Sequence, residues 1–225
     1  TSGRTFYGSD STDGTAIFDL AAGHYTLTVE GTNDVTGDYA FRLLPLASAQ
    51  TVRVGETVDA RLEPSTETDA YRFEAQAGDT LYFDALRGAG GDVYWRLLDP
   101  IGRTVWGPSG FGDVEPAALA AGMYTLLVEG RYYTRGDANY AFRIGRSTVT
   151  EQELVYDVQT GGTLTEAGDR NVYTFTLGGA GQFLFDPRTN RSDLRWTLEG
   201  PTGTVVSARA FTASTIRGTR LSVPR

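Results

Sequence analysis

Carboxylates are the side chains in this sequence most able to do chemistry by position. Asp92 and Asp193 stand at the same place in two copies of one pattern, D-x-x-W-x-L-x-x-P-x-G, each just before its tryptophan. Asp69 returns only as Asn171, and Asp113 falls near the place of Asp13 in an acidic, glycine-containing loop. Carboxylates on adjacent loops suit calcium, which takes about six to eight oxygen ligands. Aspartate also caps turns by bonding its own backbone, so the same residues have a structural use. Asp92, Asp113 and Asp193 are therefore calcium candidates; no cofactor is required.

Aromatic residues are the second set. Trp106, Tyr132 and Tyr133 align with Tyr7 and the polar pair Thr32-Asn33, so they are not dictated by the repeat described below. An aromatic platform on a loop can stack on a sugar ring, and loop packing is the structural use of the same rings. Arg135-Gly136-Asp137 spells a receptor-type tripeptide, but its equivalent is Thr36-Gly37-Asp38, so Gly-Asp belongs to the turn.

Composition excludes most catalysis. All 20 basic residues are arginine; there is no lysine, no cysteine and one histidine, His24. Schiff-base lysines, phosphate-loop lysines, thiol nucleophiles, zinc–thiolate sites and Lys–Asn cross-links are all ruled out. A glycosidase needs two carboxyls about 5–10 Å apart in a cleft, and no acid here recurs with a partner. The net charge of −8 argues against nucleic acid, which needs a clustered basic surface. No apolar run reaches the roughly 20 residues of a membrane helix. The chain is expected not to be an enzyme, with no nucleic-acid partner and no membrane insertion.

The elements that must carry these residues are β-strands. Glycine is abundant at 28 of 225 residues, and Thr, Val, Tyr and Phe recur. Tyr71, Phe73 and Ala75 alternate with Arg72, Glu74 and Gln76, and Leu81, Phe83 and Ala85 follow the turn Ala77-Gly78-Asp79. Val93, Trp95 and Leu97 form the next inward face; Tyr124, Leu126 and Val128, then Tyr140 and Phe142, complete it. This period of two predicts antiparallel sheets with one wet face and about eight short strands.

An internal repeat sets the organisation. Residues 3–31 align without a gap to residues 102–130, with 14 of 29 positions identical. The match continues from Gly37–Arg42 to Gly136–Arg143 with a two-residue insertion. A second match runs the other way, from Asp69–Phe73 to Asn171–Phe175 and from Leu81–Asp84 to Phe183–Asp186. The period is about 100 residues, the size of one β-sandwich. Residues 1–47 read as the C-terminal half of a repeat, 48–147 as a complete repeat, and 148–225 as a repeat lacking its last strands. Half a sandwich exposes apolar faces and edges, so partners are expected among neighbouring repeats or copies of the same chain, head to tail. Trp95, Trp196, Tyr71, Tyr173, Tyr124 and Phe142 are expected to be buried.

The ordered landmarks Asp69-Ala70-Tyr71-Arg72-Phe73, Ala77-Gly78-Asp79, Asp92-Val93-Tyr94-Trp95, Asp99-Pro100-Ile101-Gly102, Ala121–Val128 and Asn139-Tyr140-Ala141-Phe142 resemble the bacterial pre-peptidase C-terminal domain. The resemblance covers essentially the whole chain. It implies tandem, jelly-roll-like antiparallel β-sandwich repeats, all-β, on secreted or cell-surface bacterial proteins. Some members bind calcium and collagen through an acidic opening segment. Here the openings read Ala47–Val52 and Glu151–Val155 instead. The function expected is a non-catalytic extracellular spacer, adhesive or filament-forming module. The alternative is a carbohydrate- or matrix-binding module, meeting a polysaccharide or matrix protein on behalf of an attached secreted enzyme.

Overall fold

Alternation along the chain becomes two facing sheets. The structure is a computed structural model and describes residues 17–88, 93–131, 135–136 and 138–214. Among the described residues from 50 to 146 there are nine strands: β1 (Gln50–Thr51), β2 (Thr57–Leu62), β3 (Thr68–Ala75), β4 (Thr80–Arg87), β5 (Val93–Leu98), β6 (Thr104–Gly110), β7 (Val114–Ala118), β8 (Gly122–Gly130) and β9 (Ala138–Arg146). One sheet has the order β1-β3-β8-β5-β6, the other β2-β9-β4-β7. Tyr71, Phe73 and Ala75 of β3 point into the space between them, as do Leu81 and Phe83 of β4, Trp95 and Leu97 of β5, Leu126 and Val128 of β8, and Tyr140, Phe142 and Ile144 of β9. The fold is thus an all-β sandwich with one aromatic core.

Trp95 is the centre of that core. Its indole is fully buried and meets Phe111 at 4.5 Å, Trp106 at 5.6 Å, Phe142 at 6.3 Å and Phe83 at 6.4 Å between ring centroids. Most of these pairs are edge-on, the arrangement the ring quadrupole favours. The turns carry the chemistry their residues predict. Asp99 accepts from the amides of Ile101 and Arg103 at 2.9 and 2.8 Å, closing the β5–β6 hairpin. Asp79 accepts from the Gln76 amide at 2.9 Å and from Arg146 Nε at 2.9 Å, which ties the β3–β4 turn to the end of β9. Gly130 lies so close to the Ser65 carbonyl that an added Cβ would sit 1.8 Å from its oxygen, so no side chain fits there.

The structure departs from the sequence-based expectation at four places. β1 pairs parallel to β3, because β2 between them belongs to the other sheet and the chain returns in its original direction. The outer face of β5 and β8 is not wet: Arg96, Leu98, Thr125, Leu127 and Glu129 are buried together with the inward set. Arg96 and Glu129 neutralise one another there at 2.7 Å, and Arg96 lies opposite Leu127 in the ladder. Residues 25–30 and 39–44, which as part of the C-terminal half of a repeat correspond to β8 and β9, form no strand. Their alternating Tyr25, Leu27, Val29, Tyr39, Phe41 and Leu43 are all exposed. Finally, Trp196 and Tyr173 are half-buried, not buried like their equivalents Trp95 and Tyr71.

The chain divides into two compact units, Thr1–Glu151 with Gly161–Val172, and Gln152–Thr160 with Tyr173–Arg225. Strands β10 (Val149–Glu153) and β11 (Arg170–Thr174) pair with one another. In the second unit β12 (Arg195–Gly200) and β13 (Gly203–Ala210) form an antiparallel hairpin. Trp196 stacks on Phe185 at 4.1 Å, and Phe211 meets Phe185 edge-on at 5.4 Å.

Candidate functional site

Asp113 sits in the turn between β6 and β7. Its Oδ1 accepts the Ala85 amide at 3.0 Å, just beyond the point where the β4–β7 ladder breaks register between Leu81 and Phe83. The carboxylate thus stands in for a missing strand carbonyl. Tyr82 also hydrogen-bonds it, and burial, first, then the Asp113 charge push the Tyr82 phenol far above its ordinary range. Burial pushes the Asp84 carboxyl up, the Asp113 charge adds to this, and Arg143 opposes it.

Asp193 lies just before β12. It forms a forked pair with Arg191, with Nε to Oδ1 at 2.7 Å, and that hydrogen bond holds its carboxyl down at about 2. Asp92 lies outside the described residues. Among the described residues no group of three or more acidic or histidine side chains gathers around one point. Asp113 and Asp193 are each engaged by a protein donor.

Trp106 is half-buried on β6, and its ring lies 5.2 Å from Phe83 and 5.6 Å from Trp95. It is turned toward the core and is no open platform. The reason is its register: Trp106 pairs with Leu97, an inward residue of β5. Tyr132 and Tyr133 lie outside the described residues. Nearby, the Arg131 guanidinium covers the Tyr94 ring at 3.4 Å. In the Arg135-Gly136-Asp137 tripeptide, Gly136 has φ 84°, a left-handed conformation that favours glycine; Asp137 is outside the described residues. His24 is exposed.

Two polar arrangements were not legible in the sequence. At one end of the sandwich Tyr140 donates to Asp69 Oδ2 at 2.6 Å, and the hydroxyls of Tyr71 and Tyr140 lie 2.5 Å apart. Burial is the main cause that pushes the Asp69 carboxyl up and the Tyr71 phenol up to about 12. On the opposite side, Asp169 collects the amides of Thr148, Thr165 and Glu166 and the hydroxyls of Thr148 and Thr165. These bonds hold its carboxyl well below the usual range. Asp69, Tyr71 and Tyr140 all stand in the landmark motifs, but their mutual contact joins strands of different sheets, which spacing along the chain does not reveal.

Hydrogen bonds repeat as the sequence does. Tyr124 Oη donates to the Ala120 carbonyl at 3.1 Å, and 99 residues earlier Tyr25 Oη donates to the Ala21 carbonyl at 2.6 Å. The Val52 amide donates to the Arg72 carbonyl at 2.8 Å, and 102 residues later Leu154 donates to Thr174 at 2.8 Å.

Part of the chain is similar to a solved pre-peptidase C-terminal domain. That solved structure comes from a collagenase of Bacillus anthracis, with 20% identity over 43% of this chain and 94% of that one, at a TM-score of 0.38. A second similar structure is PliG of Aeromonas hydrophila, a periplasmic inhibitor of g-type lysozyme. It is 18% identical over 43% of this chain and 96% of its own, at a TM-score of 0.31. No family model matches the chain, and no curated protein does.

Proposed function

We propose that this chain is a non-catalytic β-sandwich repeat module, a spacer or adhesive, filament-forming part of a large extracellular or cell-surface bacterial protein. The observation that carries this reading is the bare apolar alternation of Tyr25, Leu27 and Val29 and of Tyr39, Phe41 and Leu43. These residues correspond to Tyr124, Leu126 and Val128 of β8 and to Tyr140, Phe142 and Ile144 of β9, which are buried in the complete sandwich. Apolar strand sequence of this kind is stable only against another sheet. Its natural cover is the front half of a like repeat, supplied by a neighbouring repeat or by another copy of the chain. The carboxylates support the same reading, because Asp69, Asp79, Asp99, Asp113 and Asp169 hold turns and strands together. The turn of Trp106 toward the core weighs against a sugar platform built on it.

Sedimentation velocity tests this. The chain is expected to self-associate as concentration rises. The double variant Leu27→Asp, Phe41→Asp is expected to stay monomeric. A wild-type chain that is monomeric throughout, or a variant that associates equally, overturns the reading.

A further inference from the structure

Two arginines that are equivalent in the repeat make the same kind of contact at two different places. Arg42 aligns with Arg143, each following the Tyr-Ala-Phe of a closing-strand sequence. Arg42 Nη1 lies 3.3 Å from Glu67 Oε2, and its Nη2 donates to the Thr68 carbonyl. Arg143 Nη2 donates to Glu166 Oε2 at 2.7 Å. Glu67 and Glu166 stand at opposite ends of one recurring turn. At an offset of 102 residues the Glu67 amide bonds the Pro64 carbonyl, and the Asp169 amide bonds the Glu166 carbonyl. At the same offset the Glu63 amide donates to the Glu67 side chain at 2.8 Å, and the Thr165 amide to the Asp169 side chain at 3.1 Å. Different residues therefore build the same turn, and each turn receives the arginine of the closing-strand sequence before it.

We infer that the turn leading into β3, and its counterpart leading into β11, is a docking surface for the closing-strand sequence of the repeat before it, with Arg42 or Arg143 as the clamp. The inference rests on the repeat-array reading above. The second turn shows how it is completed. Ser147 Oγ donates to the Gly168 carbonyl at 2.6 Å, Thr148 donates twice to Asp169 Oδ1, and the Arg170 amide donates to the Thr148 carbonyl at 2.9 Å. Gly168 is pressed against Tyr82 of β4, where an added Cβ would meet the side chain at 2.9 Å. Arg170 reaches Glu115 of β7 at 2.8 Å. The segment Gly161–Val172 accordingly belongs to the same compact unit as the sandwich, although its sequence is part of the next repeat. The partner this surface fits is a sheet face with an arginine on its last strand and a small residue's room above β4. Arginine suits the task because its planar fork reaches a carboxylate and a backbone carbonyl together, as Arg42 does. An exposed ion pair alone contributes little, so the hydrogen bonds around Asp169 fix the turn and the arginine selects where it lies.

Hydrogen exchange on the full 225-residue chain tests the clamp. Arg143→Glu and Glu166→Arg are each expected to speed exchange of the Thr148, Thr165, Asp169 and Arg170 amides by roughly threefold, the scale of a partly exposed ion pair. The double swap is expected to restore most of the protection. At the first turn, Arg42→Glu is expected to speed exchange at Glu67 in the same way. The amides of Phe73 and Leu126 serve as the folding control and are expected to stay protected in every variant. Single variants without effect, or a swap no better than the singles, overturn the clamp. A chain that keeps the clamp but never associates overturns the proposed function and leaves the clamp standing.

Discussion

Tyr140, on β9 of one sheet, donates its hydroxyl to the carboxylate of Asp69, on β3 of the other, at 2.6 Å. The bond joins the two layers at the edge of an otherwise apolar core, and Tyr71 shares it through its own hydroxyl. Removing the Tyr140 hydroxyl with Tyr140→Phe strips a partner from the buried Tyr71 hydroxyl and the half-buried Asp69 carboxylate and is expected to cost about 1–3 kcal/mol in denaturant unfolding.

The same carboxyl gives a pH dependence. Burial raises the Asp69 pKa in the folded chain above its unfolded value near 3.8. The folded state therefore holds the proton more tightly, and the stability this contributes is present below 3.8 and lost as pH rises through the folded pKa. Asp69→Asn removes the titration, and asparagine already stands at the equivalent position 171. The variant is expected to gain stability relative to wild type as pH rises from 3 to 7, read from denaturant midpoints. A difference that shrinks over that range contradicts the assignment.

The core has one centre. Trp95→Ala is expected to cost about 3–5 kcal/mol, because the indole is wholly buried among four rings. Trp196→Ala removes a half-buried ring that stacks on Phe185 and is expected to cost clearly less. Equal losses would mean that the second unit buries Trp196 as deeply as the sandwich buries Trp95.

The Arg96–Glu129 pair is buried on both sides, at 7% and 6% side-chain exposure. Glu129→Gln removes one charge of a pair held at 2.7 Å in a buried place and is expected to destabilise the fold clearly. Arg96→Met with Glu129→Leu, which removes both charges, is expected to be nearly neutral. Thermal melts of the three chains decide this.

Calcium is expected to matter little. Asp113 Oδ1 is held by the Ala85 amide and Asp193 by Arg191, so a metal would have to displace protein donors. Melting temperatures with calcium and with chelator are expected to differ by only a few degrees. A large calcium-dependent rise would show that these loops do form a cation site.

Sequence alternation fixed the inward residues of β3, β4, β5 and β9, because in a strand burial follows position by twos. The bond from the tyrosine hydroxyl to the carbonyl four residues back, made by both Tyr124 and Tyr25, was not read from the motif, although the motif recurs with it. Arg96 and Glu129 escaped because they occupy positions that alternation assigns to solvent, and only the fold reveals that they meet. Trp106 looked free because its counterpart is Tyr7, yet its pairing with Leu97 turns it toward the core. The clamp of Arg143 on Glu166 was hidden for the same reason: 23 residues separate them, and nothing in their spacing marks a partner.

Concentration-dependent hydrogen exchange at residues 25–30 and 39–44 tests the central claim most directly. The amides of β3, β5 and β8 are expected to be protected at every concentration. Those at Leu27, Val29, Phe41 and Leu43 are expected to exchange fast in dilute solution and slowly once copies associate, as their apolar positions are covered. Protection of these four that is already full in a dilute monomer, or that never rises with concentration, would contradict the account.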